Sequence, residues 1–157
     1  MSKPLMATIA LFAGGLLMCS PAVAGECPAA QVKADATKPG PAEPKDVTDN
    51  VISSIDLQRW MTNLTGYKLR MRRLVVQPGG IVPWHSHAER PANILIVSGE
   101  ITEYRSNCAV PIMHKAGDAV PEFGTEVSHW WKNEGREPVV IISADLFNNK
   151  MKGDAPM

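Results

Sequence analysis

The chain lacks an excess of either charge. Sixteen basic and sixteen acidic side chains are spread over 157 residues with no long run of one sign. No basic stripe invites nucleic acid and no polybasic cluster invites an anionic membrane surface, so neither is expected as a partner. Long hydrophobic runs are also missing. The longest, from Ala7 to Met18, is too short for the roughly 20 apolar residues of a membrane span. Helical periodicity is absent apart from a short turn expected between Leu57 and Leu64, and there is no internal repeat. Cysteine is scarce, at three residues, which excludes a disulfide-dense scaffold.

What is present begins with an export signal. Residues 1–24, MSKPLMATIALFAGGLLMCSPAVA, carry Lys3, the short apolar run and then Ala22-Val23-Ala24, a small-x-small cleavage site. A rival reading takes Leu16-Leu17-Met18-Cys19 as a lipoprotein signal, but Met18 is bulky where that signal needs a small residue. Cleavage after Ala24 predicts a periplasmic or secreted protein with no membrane attachment. It also removes Cys19 and leaves Cys27 and Cys108, which pair in an oxidising compartment. In the chain-entropy model a loop of that length contributes about 4 to 5 kcal/mol as an upper figure. No His or Lys adjoins Cys27 to activate its thiol.

The remaining chain, about 130 residues, suffices for one domain. Pro and Ala dominate up to about Asp46, so residues 25–50 read as an extended arm, 51–150 as the folded domain and 151–157 as a tail. From Val51 the pattern is strand after strand. Tyr67, Leu69 and Met71 alternate with Lys68, Arg70 and Arg72, which predicts a half-buried strand with the apolar set inward and a bulge at Arg73-Leu74. Gln77-Pro78-Gly79-Gly80 and Lys115-Ala116-Gly117-Asp118 read as turns. Ala92 to Val97, EITEYR, EVSHWWKN and EPVVIISADLF supply further strands. Short strands at this spacing indicate a β-sandwich or barrel.

The chemistry lies in HSHAERPANILIVSGE, His85 to Glu100. Residues i and i+2 of a strand project to the same side, so His85 and His87 present two imidazoles to one face. The span Gly79 to Gly99 resembles the first motif of the cupin superfamily: a Gly, five residues, His-x-His, and a closing Gly. The span Gly117 to Asn133 resembles the second, through Gly117, Asp118, Pro121, Gly124, His129 and Asn133. It departs from the pattern in having two extra residues between Gly124 and His129. The resemblance implies an all-β, double-stranded β-helix (jelly-roll barrel). It also implies that His129 joins His85 and His87 as a third nitrogen ligand, a donor set suited to Fe above all, or to Mn, Ni, Cu or Zn.

The resemblance also places a glutamate seven residues before Gly99, but that residue is Ala92. Asn93 is adjacent and faces the other way; Glu89 lies in the preceding connection and is the alternative carboxylate, if that connection bends back to the histidines. The expectation is therefore a three-histidine site with a neutral protein shell, which keeps the full charge of a divalent ion and favours an anionic chelating substrate. Among cupins, three-histidine iron sites are characteristic of thiol dioxygenases and of some ring- or diketone-cleaving dioxygenases. Arg90 is a candidate clamp for a substrate carboxylate, with pairing to Glu89 or Glu103 as its alternative. Glu103 and Tyr104 are the nearest acid-base candidates. Of Trp130 and Trp131 one points inward; His114 matches no ligand position and reads as a surface or packing residue. Two functions follow: an exported metal-dependent oxygenase acting on a small anionic substrate, or a non-catalytic cupin that binds a metal or small molecule. A homodimer through edge strands or through the arm is also expected.

Overall fold

The computed structural model describes residues 25–125 and 127–151; the predicted export signal lies outside them. Eight antiparallel strands form one curled sheet: β1 (Lys45–Asp56), β2 (Tyr67–Ser86), β3 (Ala92–Ser98), β4 (Glu100–Arg105), β5 (Ile112–Lys115), β6 (Ala119–Glu122), β7 (Ser128–Lys132) and β8 (Val139–Asn148). Their order is β5-β4-β7-β2-β8-β3-β6, with β1 added alongside β2. Helix among the described residues is limited to two 3-10 turns, Ala29–Gln31 and Leu57–Arg59. The all-β jelly-roll expectation is met.

The long strand β2 organises the sheet, and its phase is the reverse of the one read from the sequence. Arg72, Leu74 and Val76 are buried, whereas Leu69 and Met71 are 45% and 43% exposed. The inward arginines have carboxylates waiting for them. Arg70 forms a bidentate pair with Asp145 at 2.9 and 2.8 Å, and Arg72 pairs with Asp49 and lies 3.1 Å from Asp145. Burial of a charge requires such partners, and here they are supplied by β1 and β8. With the arginines counted as inward, residues 70, 72, 74 and 76 keep one phase, and the β2–β8 register runs without a break from Tyr67 to Val76. The bulge expected at Arg73-Leu74 does not exist in that pairing.

The turn expected at Gln77-Pro78-Gly79-Gly80 is instead a bend within β2, where the strand leaves β8 and joins β7. Gly79 takes φ +75° there, a conformation that costs glycine little. Asn133 holds the bend. Its backbone exchanges hydrogen bonds with Gly79 and Gly80, and its side-chain amide donates to the carbonyls of Val76 and Glu137 at 2.9 and 2.8 Å. The glycine that opens the first motif and the asparagine that ends the second are thus one structural device.

Apolar side chains of β2, β3, β7 and β8, among them Val76, Ile94, Ile96, Trp131 and Ile141, fill the barrel below the histidines. The segment before β1 lies along the same chain's barrel. The Lys33 and Ala36 amides donate to the carbonyls of Asn107 and Ser106, and the Trp84 amide donates to Pro41. A Cβ on Gly40 would come within 2.4 Å of the Trp130 ring. Cys27 and Cys108 form the disulfide the sequence predicted.

Candidate metal centre

Four side chains from three regions of the sheet meet at one end of the barrel. His85 stands at the end of β2 and His87 just beyond it. His129 is directly opposite His85 on β7, so strand register brings the third imidazole to the first two. Glu122 ends β6. One donor atom from each of His85, His87, Glu122 and His129 lies within 4.8 Å of all the others.

The outer nitrogens show what the inner ones are for. His85 Nδ1 faces the Pro83 carbonyl at 2.8 Å, His87 Nδ1 the Arg90 carbonyl at 2.7 Å, and His129 Nδ1 the Glu103 carboxylate at 2.5 Å. Carbonyls and carboxylates only accept, so each Nδ1 carries the proton and each Nε2 presents a lone pair. These Nε2 atoms converge, with His85 3.0 Å from His87 and 3.2 Å from His129. Lone pairs held this close repel unless a cation or proton lies between them. Glu122 adds the anion: Oε2 is 2.9 Å from His87 Nε2, while the buried Oε1 has no hydrogen bond among the described residues. Three imidazole nitrogens and one carboxylate fit a divalent transition metal.

The fourth group corrects the expectation of a neutral three-histidine shell. Glu89 is exposed, and Asn93 faces outward. Glu122 is the cross-strand partner of Ala92 in the β3–β6 pairing, and directly opposed residues of an antiparallel pair project to the same face. The carboxylate missing at position 92 has moved one strand sideways. Counting along the chain does not reveal this. The signal was the alternation in Ala119–Glu122, where Val120 and Glu122 share the buried phase.

Glu103 does not sit free as an acid-base group. It is fully buried and accepts from His129 Nδ1, from His114 Nε2 at 3.0 Å, and from Arg105 Nε and Nη2 at 2.8 and 2.9 Å. Burial alone would raise its pKa; the bonds from His114, His129 and Arg105 outweigh burial and hold the carboxyl far below its usual range. Its observed contacts orient His129. His85 is held well below its ordinary value by burial and by the facing His129 and His87, and so keeps the neutral, ligating form.

Tyr104 alternates to the outside, stacked on Trp130 with ring centroids 4.1 Å apart and donating to Glu134 at 3.1 Å. Partial burial and the Glu134 carboxylate raise its pKa. Arg90 holds His87 through its backbone carbonyl, while its guanidinium lies 3.6 Å from Asp145. His114, read as a surface or packing residue, is fully buried and stacked on Trp131 at 4.5 Å. Its bond to Glu103 connects it to the centre.

Two spaces adjoin the ligands. Within the barrel a cavity runs from His85, His87 and Glu122 to Arg72 and Ser143 and holds about one water molecule. At the mouth, a larger hollow is lined by His87, Glu122 and His129 together with Arg105 and Phe123. Arg105 uses Nε and Nη2 to bind Glu103, and its Nη1 is not engaged in that pair.

The cupin domain family matches residues 72–145, the span that carries the four ligands. A sequence search of curated proteins finds no match. Among solved structures, the fold is similar to an uncharacterized conserved protein with a double-stranded β-helix domain from Klebsiella pneumoniae. The TM-score is 0.52 at 21% identity, covering 74% of this chain and 87% of that one. It is also similar to a predicted oxalate decarboxylase from Thermotoga maritima (TM-score 0.50, 17% identity, 78% and 98% covered). A third similar structure is the cupin domain of Schizosaccharomyces pombe Cnp3 (TM-score 0.51, 11% identity, 68% and 65% covered); that match spans just under two thirds of the Cnp3 chain. With both motifs on one curled jelly-roll sheet and their histidines converging at its end, residues 72–145 form a domain of the cupin superfamily.

Proposed function

We propose that the protein is an exported metal-dependent oxygenase acting on a small carboxylate-bearing substrate. The observation that carries this reading is the convergence of three Nε2 lone pairs and the Glu122 carboxylate beside a hollow that contains Arg105. A redox-active divalent ion, iron above all, would supply Lewis acidity and electron transfer there. The chain's own residues do the rest. His85, His87, His129 and Glu122 would hold the ion with one protein negative charge, leaving a divalent ion a net positive charge that still attracts an anion. Arg105 would orient the substrate carboxylate through Nη1 while Glu103 anchors the other side of its guanidinium. Arg105 takes the clamping role that the sequence suggested for Arg90. The Cys27–Cys108 disulfide supports an oxidising compartment, periplasmic or extracellular, and a homodimer is part of the same reading.

A second reading, a non-catalytic cupin that binds a metal or small molecule, is favoured by one observation: both oxygens of Glu103 are engaged, which removes that carboxylate as an acid-base group. Elemental analysis of protein from its native compartment, then oxygen uptake with a panel of small carboxylates, separates the two. Retained metal without uptake favours the binder; metal content no higher than in His129→Ala removes both. In the enzyme, Arg105→Gln is expected to keep its metal and raise KM for the carboxylate about tenfold or more, the loss of a charge-assisted pair.

A further inference from the structure

His114 is fully buried, and its Nε2 donates to Glu103 Oε2 at 3.0 Å. Its Nδ1 therefore carries a lone pair. That atom is buried and has no hydrogen-bond partner among the described residues. A buried acceptor without a donor keeps its desolvation penalty uncompensated, so the atom points to a missing group. Gly25, itself buried, lies beside that atom. A substituent at the Cβ position of Gly25 would lie 3.0 Å from His114 Nδ1 and 3.7 Å from Asp118 Oδ2. Asp118 is held in place by the Lys115 amide, which donates to the same Oδ2 at 2.8 Å. Two residues further on, the disulfide ties Cys27 to Cys108. A lone pair and a carboxylate thus flank one tetrahedral position on a glycine Cα fixed close to a covalent cross-link.

Gly25 is also the residue that cleavage after Ala24 would make the first of the mature chain. Hydrolysis of the Ala24–Gly25 bond consumes one water, leaves the carboxylate on Ala24 and frees the nitrogen of Gly25 as an ammonium. An amide nitrogen tied to residue 24 cannot leave its place. A terminal nitrogen can, because a third of a turn about the Gly25 Cα–C bond carries it to the position a Cβ would take. There it meets both groups at close to the distances above, with protons to donate and a positive charge opposite Asp118.

We propose that the α-ammonium of Gly25, created by signal cleavage, occupies a built socket formed by His114 Nδ1 and Asp118. The proposal rests on the export reading and goes beyond it, since it gives the new terminus a structural task. Through His114 the terminus reaches Glu103, and through Glu103 it reaches His129. Processing thereby completes a hydrogen-bond chain that ends on a metal ligand and that the uncleaved chain lacks.

The test first asks whether the socket's occupant exists. Mass analysis of protein from its native compartment should give Gly25 as the first residue; a different terminus sinks the cleavage site and, with it, the socket. Given that terminus, its α-amino group should react with an acylating reagent at neutral pH about tenfold more slowly than in the urea-unfolded chain, since a charge-assisted bond must break first. Asp118→Asn should restore most of the rate. A chain that retains Ala24 should melt several degrees lower than the chain starting at Gly25, and the gap should close in the Asp118→Asn background. Labelling at the unfolded rate, or equal melting of the two chains, would overturn the socket and leave the export reading standing.

Discussion

The centre is decided by single residues, and Glu122 is the one on which its charge depends. Three histidines and the absence of a carboxylate at position 92 were legible from spacing, because a fixed motif states both. The replacement was not, because it lies across a strand pairing that no count along one segment can see. The partnership of Ala92 with Glu122 makes a sharp prediction. Glu122→Ala should lower metal occupancy by removing the carboxylate that the described residues bring to the three histidines, and adding Ala92→Glu to that variant should return most of it, since the new carboxylate projects from the neighbouring position on the same face. Glu89→Gln should leave occupancy unchanged. Elemental analysis after loading with iron checks all three; a double variant no better than Glu122→Ala alone would mean that the two positions are not equivalent on that face. Glu103 teaches a related lesson. It was visible as a polar residue near the site, but its role follows from having four donors around it, which composition does not state.

At the scale of the element, β2 explains how a strand can be recognised and still be assigned the wrong face. The alternation of Tyr67, Leu69 and Met71 with charged residues is real, and a reading that puts apolar residues inward follows from it. A strand offers two faces related by a one-residue shift, so an error of face inverts every side chain. The choice was made by Asp49 and Asp145, which are remote in sequence and pair with the arginines. Asp49 itself is raised above its ordinary pKa by burial despite the nearby Arg72, which marks how dry the cluster is. Arg72→Ala would leave that carboxylate and Asp145 short of a buried cation. It should cost about 3 to 5 kcal/mol, the range for breaking one side of a buried pair, read as a large fall in the urea midpoint. A loss below about 0.5 kcal/mol, the usual surface value, would place Arg72 outside.

For the whole molecule, the same inversion leaves apolar side chains outside. Ile55, Leu69, Met71, Leu95 and Val97 are each 43–50% exposed. They stand on one outer face, because Ile55 pairs with Leu69 and Leu69 with Leu146, while Met71 pairs with Ala144 and Leu95 with Ile142. Arg73 is the charged residue on this stretch of β2. A contiguous apolar patch of this kind is unfavourable in water and marks a contact surface. A second copy fits it economically: a two-fold axis places the apolar face on itself. β1 lies beside this face and, among the described residues, pairs on one side only, with β2, which leaves its other edge to extend the contact. The expected outcome is a sedimentation mass of two chains at micromolar concentration. Met71→Lys with Leu95→Lys should halve that mass while leaving metal content unchanged, because both side chains lie on the opposite face of the sheet from the ligands. A single-chain mass for the unaltered protein would mean that the face is covered by something else or remains in solvent, and the dimer would be withdrawn with the metal centre intact.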